Sequence, residues 1–249
     1  MERLVIKSMS IDMQLDGSIT HVIGPTDAGK TYLLKKLINV INNKDIYLDD
    51  KCIKDYDIDY LKNNIVVCLN DEEYHSAFVI DELGYYLSLL NYSNKEINER
   101  IKKIISFFNL EDIAKSRIAK LNVNKRILVK VLSYLIIEPT VFGVDNLLVY
   151  LNQEDKANIY KYLKKKHITS IIVTSDLDDL IYGTHILIMN HMKCLLYGDN
   201  KVIIDNNSII PYMGIRLPFA VDLSQNLNLY NIIDKLYLDK SKLVNKIWK

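Results

Sequence analysis

The stretch Gly24-Pro25-Thr26-Asp27-Ala28-Gly29-Lys30-Thr31 constrains this chain more than any other part of it. It reads G-x-x-x-x-G-K-T. An apolar run at 19–23 precedes it and has strand character. From 30 to 41 the pattern turns helical, with Leu33, Leu34, Leu37, Ile38 and Ile41 on one stripe. A glycine-bracketed turn between a strand and a helix start aims successive backbone N–H groups at one point, and the helix N-terminus adds partial positive charge. Phosphate oxygens fit there. Lys30 adds a cation for the β- and γ-phosphates, and Thr31 a hydroxyl for Mg²⁺. The candidate ATP-binding residues are therefore Gly24, Pro25, Thr26, Asp27, Ala28, Gly29, Lys30, Thr31 and Tyr32. Asp27 sits awkwardly, because it places a carboxylate inside a loop meant for an anion. Asp does tolerate left-handed backbone, so the loop can still form.

Around this motif strands and helices alternate. Short strands are expected at 4–6, 10–14, 65–69, 141–144 and 170–174, and a hairpin at 186–189 and 193–197 closed by Asn190-His191. Helices are expected over most of 80–135, at 155–166 and, briefly, at 176–181. That order implies an α/β fold, with a largely parallel sheet covered on both faces. The helical stretch at about 75–135 reads as a subdomain of a unit spanning 1–200, and 201–249 as a smaller C-terminal extension. Asp145 ends the apolar run at 141–144 and joins Thr31 as the second candidate Mg²⁺ ligand.

Composition narrows the partners. Thirty-two Lys+Arg against 31 Asp+Glu leave a net charge of +1. That removes the broad attraction on which non-specific nucleic-acid binding depends, and no nucleic-acid partner is expected. The cysteines, Cys52, Cys68 and Cys194, form neither a disulfide framework nor a metal knuckle, which points to a reducing compartment. No apolar run reaches the roughly 18 residues that would span a bilayer, and the start Met1-Glu2-Arg3 is unlike a signal peptide. The bland reading suffices elsewhere. Most tyrosines serve packing, His185, His191 and Cys194 are too few for a metal site, 161–167 is a solvated helix end, and Asp176, Asp178 and Asp179 cap a helix start.

Beyond the loop, the sequence resembles the ATP-binding cassette (ABC) proteins, most closely the ATPase subunits of energy-coupling-factor transporters. Asn70-Asp71-Glu72-Glu73 and Val79-Ile80-Asp81-Glu82 resemble the segment after that family's Q-loop. The stretch from Pro139 to Asp145 resembles its Walker B lead-in, Thr174-Ser175-Asp176-Leu177 its switch loop, and Tyr197-Gly198-Asp199 the turn beyond. The tail, from Gly214-Ile215-Arg216-Leu217-Pro218-Phe219 to Leu243-Val244, resembles its C-terminal dimerisation extension.

The departures from the family pattern are as informative. The Q-loop glutamine falls on Leu69, the catalytic Glu on Asn146, the switch His on Ser175 and the D-loop Asp on Asn152. The signature falls on Leu121-Asn122-Val123-Asn124-Lys125, without either glycine, and the hydroxyl residue after the Walker A Thr falls on Tyr32. The strand that usually brings an adenine-stacking aromatic has no counterpart, since the chain starts near the family's second strand. No catalytic residue is intact. What the resemblance implies is a P-loop ATP-binding subunit that binds Mg-ATP with weak or absent hydrolysis. It would pair with a second ABC ATPase subunit and an integral membrane component, at the cytoplasmic face of the cell membrane. A nucleotide-independent scaffold and a P-loop phosphotransferase are the alternatives.

Overall fold

The computed structural model describes residues 1–39, 43–208 and 210–248. The chain opens with β1 (Arg3–Ile6), β2 (Ile11–Gln14) and β3 (Ile19–Ile23), followed by α1 (Lys30–Ile38). Next come β4 (Ile46–Leu48), β5 (Lys51–Cys52), α2 (Ile58–Asn64) and β6 (Ile65–Cys68). The helical region holds α3 (Val79–Leu89), α4 (Asn94–Phe108) and α5 (Val123–Leu135). Then follow β7 (Val141–Asp145), α6 (Gln153–Lys165), β8 (Thr169–Val173), β9 (His185–Asn190) and β10 (Lys193–Asp199). The last elements are α7 (Lys201–Asp205), α8 (Phe219–Leu229) and α9 (Lys240–Ile247).

Two sheets result. The larger runs β10-β9-β3-β8-β7-β6, parallel throughout except for the antiparallel β9–β10 hairpin. Its inner strands β3, β7 and β8, and β6 at one edge, are buried at every position, as expected of a sheet covered on both faces. The smaller sheet, β2-β1-β4-β5, is antiparallel and was not expected from the sequence. Its strands β4 and β5 have only three and two residues, too short for alternation to register. Leu33, Leu34 and Leu37 of α1 lie in the core between the two sheets, with Leu4, Ile6 and Leu48 from one side and Val67, Val141 and Val173 from the other. Ile41, expected on the same stripe, lies outside the described residues.

Some boundaries move. The β9–β10 turn is His191-Met192, both with positive φ, rather than Asn190-His191. The segment Leu177–Tyr182 is a 3₁₀ helix. α2 replaces what the sequence left without structure. Among the described residues no helix is long and apolar enough to cross a membrane.

Register positions the site. Val22 of β3 and Asp145 of β7 both lie opposite Val173 of β8. Because these strands are parallel, the segments after them (Gly24 onward, Asn146 onward and Thr174 onward) emerge side by side at one edge, the usual place for a ligand on a parallel sheet.

Candidate functional site

The loop after β3 closes against the β9–β10 turn. A Cβ at Gly24 would stand 2.3 Å from the Met189 carbonyl oxygen, so only glycine fits there. Gly29 has φ +92°, and a Cβ on it would meet Met192 Cγ at 3.0 Å. Asp27 takes the left-handed conformation, φ 62°, that its residue type tolerates. The Met192 N–H donates to the Ala28 carbonyl at 3.0 Å and ties the turn to the loop. Between them lies a cavity of about 290 Å³ lined by residues 27–32 and Met192. Among the described residues, the N–H groups of Gly29, Lys30 and Thr31 meet no protein acceptor. Such a cradle suits an anion.

Lys30 is half-buried and turned back onto its own loop. Its Nζ donates to the carbonyls of Gly24, at 2.8 Å, and Pro25, at 2.6 Å. Burial pushes the ammonium pKa down, against the opposing pull of Asp145 and Asp27. The Thr31 hydroxyl donates to Asp145 at 2.9 Å (Oδ2) and 3.2 Å (Oδ1). Asp145 is only 6% exposed, and burial pushes its carboxyl pKa up. A hydroxyl and a carboxylate are hard oxygen donors, and as a pair they fit Mg²⁺ shared with phosphate oxygens and water. Among the described residues no three His, Cys, Asp or Glu gather to hold a metal on their own.

The polar side chains at the positions expected to be altered bond mostly within the protein. The Asn146 side-chain oxygen accepts from the Ser175 N–H at 2.9 Å and from its hydroxyl at 3.0 Å. The two residues replacing base and switch thus bond to each other. Leu69 is packed into the core between the sheets. Asn122 caps α5, accepting from the Lys125 N–H at 2.8 Å. Lys125 Nζ lies 3.1 Å from both oxygens of Asp155, and Asp155 is only 4% exposed. With its amide nitrogen toward Asp155 (2.8 Å), Asn124 also accepts from the Asn152 N–H (2.7 Å). Val123 points to solvent, 62% exposed. Among the described residues no hydrogen bond or ion pair links 121–125 to the 24–32 loop.

Some features escaped the sequence reading. Asp176 does cap the turn after β8, through the Asp178 N–H at 3.2 Å. Asp179, however, is buried against Lys156, with Nζ 2.9 Å from each of its oxygens and 2.7 Å from Asp176. Despite that lysine, burial pushes the Asp179 carboxyl up to about 6. The available signal was that Lys156 shares the buried stripe of α6 with Ile159, Tyr160 and Leu163. Met192, which faces the cradle, had no sequence signal. Lys35 on α1 pairs with Asp71 at 2.8 Å, fastening the loop after β6 beside the cradle.

The family profile described as "ABC transporter" matches residues 6–148. The energy-coupling factor transporter ATP-binding protein EcfA1 of Leuconostoc mesenteroides is 19% identical over 237 residues, covering 91% of this chain and 87% of that protein. The structure of CbiO1 from Clostridium perfringens, described as part of the ABC transporter complex CbiONQ, superposes with a TM-score of 0.71 at 21% identity and covers 93% of this chain and 100% of that one. A dimeric ATP-binding cassette in a post-hydrolysis state with ADP and phosphate superposes with a TM-score of 0.62 at 15% identity, covering 79% and 98%.

Proposed function

The chain belongs to the ABC transporter family, and from that premise we propose that it is the ATP-binding subunit of an energy-coupling-factor-like transporter that holds Mg-ATP and hydrolyses it weakly or not at all. One observation carries this reading: an anion cradle whose Gly29, Lys30 and Thr31 N–H groups have no acceptor among the described residues, with a Thr31–Asp145 pair, stands beside Asn146 and Ser175, whose side chains bond to each other. The first arrangement serves binding. The second has no group able to take a proton from water at neutral pH.

Each residue then has a defined task. The amides of Gly29, Lys30 and Thr31 receive phosphate oxygens. Lys30 exchanges its two loop carbonyls for phosphate oxygens. Thr31 and Asp145 hold Mg²⁺, which supplies charge neutralisation when bound. Asn146 and Ser175 keep the edge of the site closed without activating water. The partners we assign are a second ATPase subunit and an integral membrane component, with the chain at the cytoplasmic face of the membrane. The tail at 201–249 is proposed to support subunit pairing.

Thermal or chemical unfolding with and without Mg-ATP tests this. Nucleotide at 100-fold its dissociation constant stabilises the fold by about 2.7 kcal/mol, and Lys30→Ala is expected to abolish that gain. One observation favours a second reading, a nucleotide-independent scaffold. Lys30 already has two acceptors in its own loop, so the loop is coherent without ligand. Absence of any stabilisation at millimolar ATP would select it.

A further inference from the structure

Tyr32 is conspicuous on the binding side. It is the third residue of α1 and about half of it, 49%, is open to solvent. Its neighbours Leu33 and Leu34 are fully buried, so the ring's position is fixed by a helix anchored in the core. Among the described residues lining the phosphate cradle it is the one aromatic. It also lines a second cavity, of about 360 Å³, together with Lys35, Lys36, Asn39, Asn43, Lys44 and Asp45. Among the described residues no other is shared by the two cavities. The ring therefore stands at the divide between the place where phosphates would sit and an adjoining hollow.

That hollow is polar at its rim and suits a flat, hydrogen-bonding ring. Lys36 Nζ lies 5.6 Å from the Tyr32 ring centre while also pairing with Asp45. Asn43 donates its amide to the Lys36 and Asn39 carbonyls, closing the far side. A nucleotide whose phosphates occupy the cradle can send its nucleoside out past the first turn of α1, where the half-exposed Tyr32 ring offers an aromatic face.

We propose that Tyr32 is the stacking platform for the base of the bound nucleotide, with the base in the hollow that Tyr32 lines together with Lys36, Asn39 and Asn43. The proposal rests on the nucleotide-binding reading above. Stacking on a π-face is tolerant of base identity, so ATP and GTP should bind within a few-fold of each other.

The test is calorimetry of the full chain with Mg-ATP and, separately, with inorganic tripolyphosphate, which has phosphates and no base. Losing one base-stacking partner is expected to weaken ATP roughly 5- to 100-fold in Tyr32→Ala, with tripolyphosphate affinity unchanged. Tyr32→Phe should retain ATP affinity. In Tyr32→Trp, the new indole emission should respond to ATP and not to tripolyphosphate, with Trp248, the chain's single native tryptophan, as the background. The proposal is overturned if Tyr32→Ala leaves ATP binding intact, if it weakens both ligands equally, or if Tyr32→Phe binds ATP as poorly as Tyr32→Ala. Failure of the wild-type chain to bind either ligand overturns the nucleotide-binding reading itself, a result distinct from the other three.

Discussion

Two parts of the molecule treat their polar groups in opposite ways. In the 24–32 loop, the N–H groups of Gly29, Lys30 and Thr31 are left without protein acceptors among the described residues. In the segments that should complete catalysis, the polar groups answer one another: Asn146 bonds Ser175, Asn122 caps its own helix, and Lys125 is held by Asp155. A group waiting for a ligand and a group already satisfied have different consequences. The first gains by binding. The second must give up an existing bond before it can contribute. On the function proposed above, the contrast would separate nucleotide capture, served by the open N–H groups, from cleavage, whose positions are engaged within the protein.

The largest expected effect breaks that contrast by design. Restoring Glu at 146 and His at 175 alone should change ATP turnover by no more than about tenfold, because residues that act as a unit do not contribute singly. Adding Asn122→Ser, Val123→Gly, Asn124→Gly and Lys125→Gln should raise it by about 10²–10⁴, the usual scale of a general base once its surroundings are complete. Phosphate release measures both. Full activity from Asn146→Glu alone would show that the signature segment was never the obstacle.

The next effect concerns what holds the satisfied side in place. Lys156, 2% exposed, joins α6 to Asp176 and Asp179 just beyond Ser175. Replacing it by Met leaves the buried Asp179 without its cation, which typically costs about 3–5 kcal/mol. Urea denaturation reads that loss. A change near zero would mean that the switch segment is held by its apolar neighbours instead.

What the sequence disclosed follows a physical line. The loop, β3 and β7 were legible because each is a local pattern whose meaning is contained within a few residues. The family resemblance was legible from further short stretches, of which the profile match spans those up to Asp145. The Asn146–Ser175 bond was not, since it joins residues 29 apart through strand register. The antiparallel sheet escaped because β4 and β5 are too short for a period to show. Asp178 and Asp179 read as caps because they follow Asp176, which is one, whereas Asp178 accepts from the Phe219 N–H and pairs with Lys240, and the lysine against buried Asp179 lies 23 residues away. Tyr32 appeared as the last candidate of the loop and as a lost hydroxyl, and its place between two cavities is a property of the folded surface.

The smallest effect probes the strand that carries the binding side. His21 lies in β3, fully buried, with Nε2 2.8 Å from the Tyr160 hydroxyl and Nδ1 without a partner among the described residues. Burial pushes its pKa down to about 3, against an ordinary value of 6.5. On acidification the unfolded chain takes up a proton at this residue that the folded chain refuses. Its contribution to stability is therefore complete above pH 6.5 and falls by about 1.4 kcal/mol per unit below it, levelling off near pH 3. Asp179 acts with the opposite sign, because a carboxyl raised to about 6 is protonated first in the folded chain. The wild-type curve alone would thus blend the two. Comparing wild type with His21→Gln at pH 7.5, 6.5 and 5.5 isolates the histidine, since Asp179 is common to both. The variant should gain on wild type by up to about 1.4 kcal/mol between pH 6.5 and 5.5, whatever its stability at neutral pH. A difference that stays constant across the series would mean that the strand leading into the cradle accommodates a charged imidazole, and that the binding side is less rigidly enclosed than its burial implies.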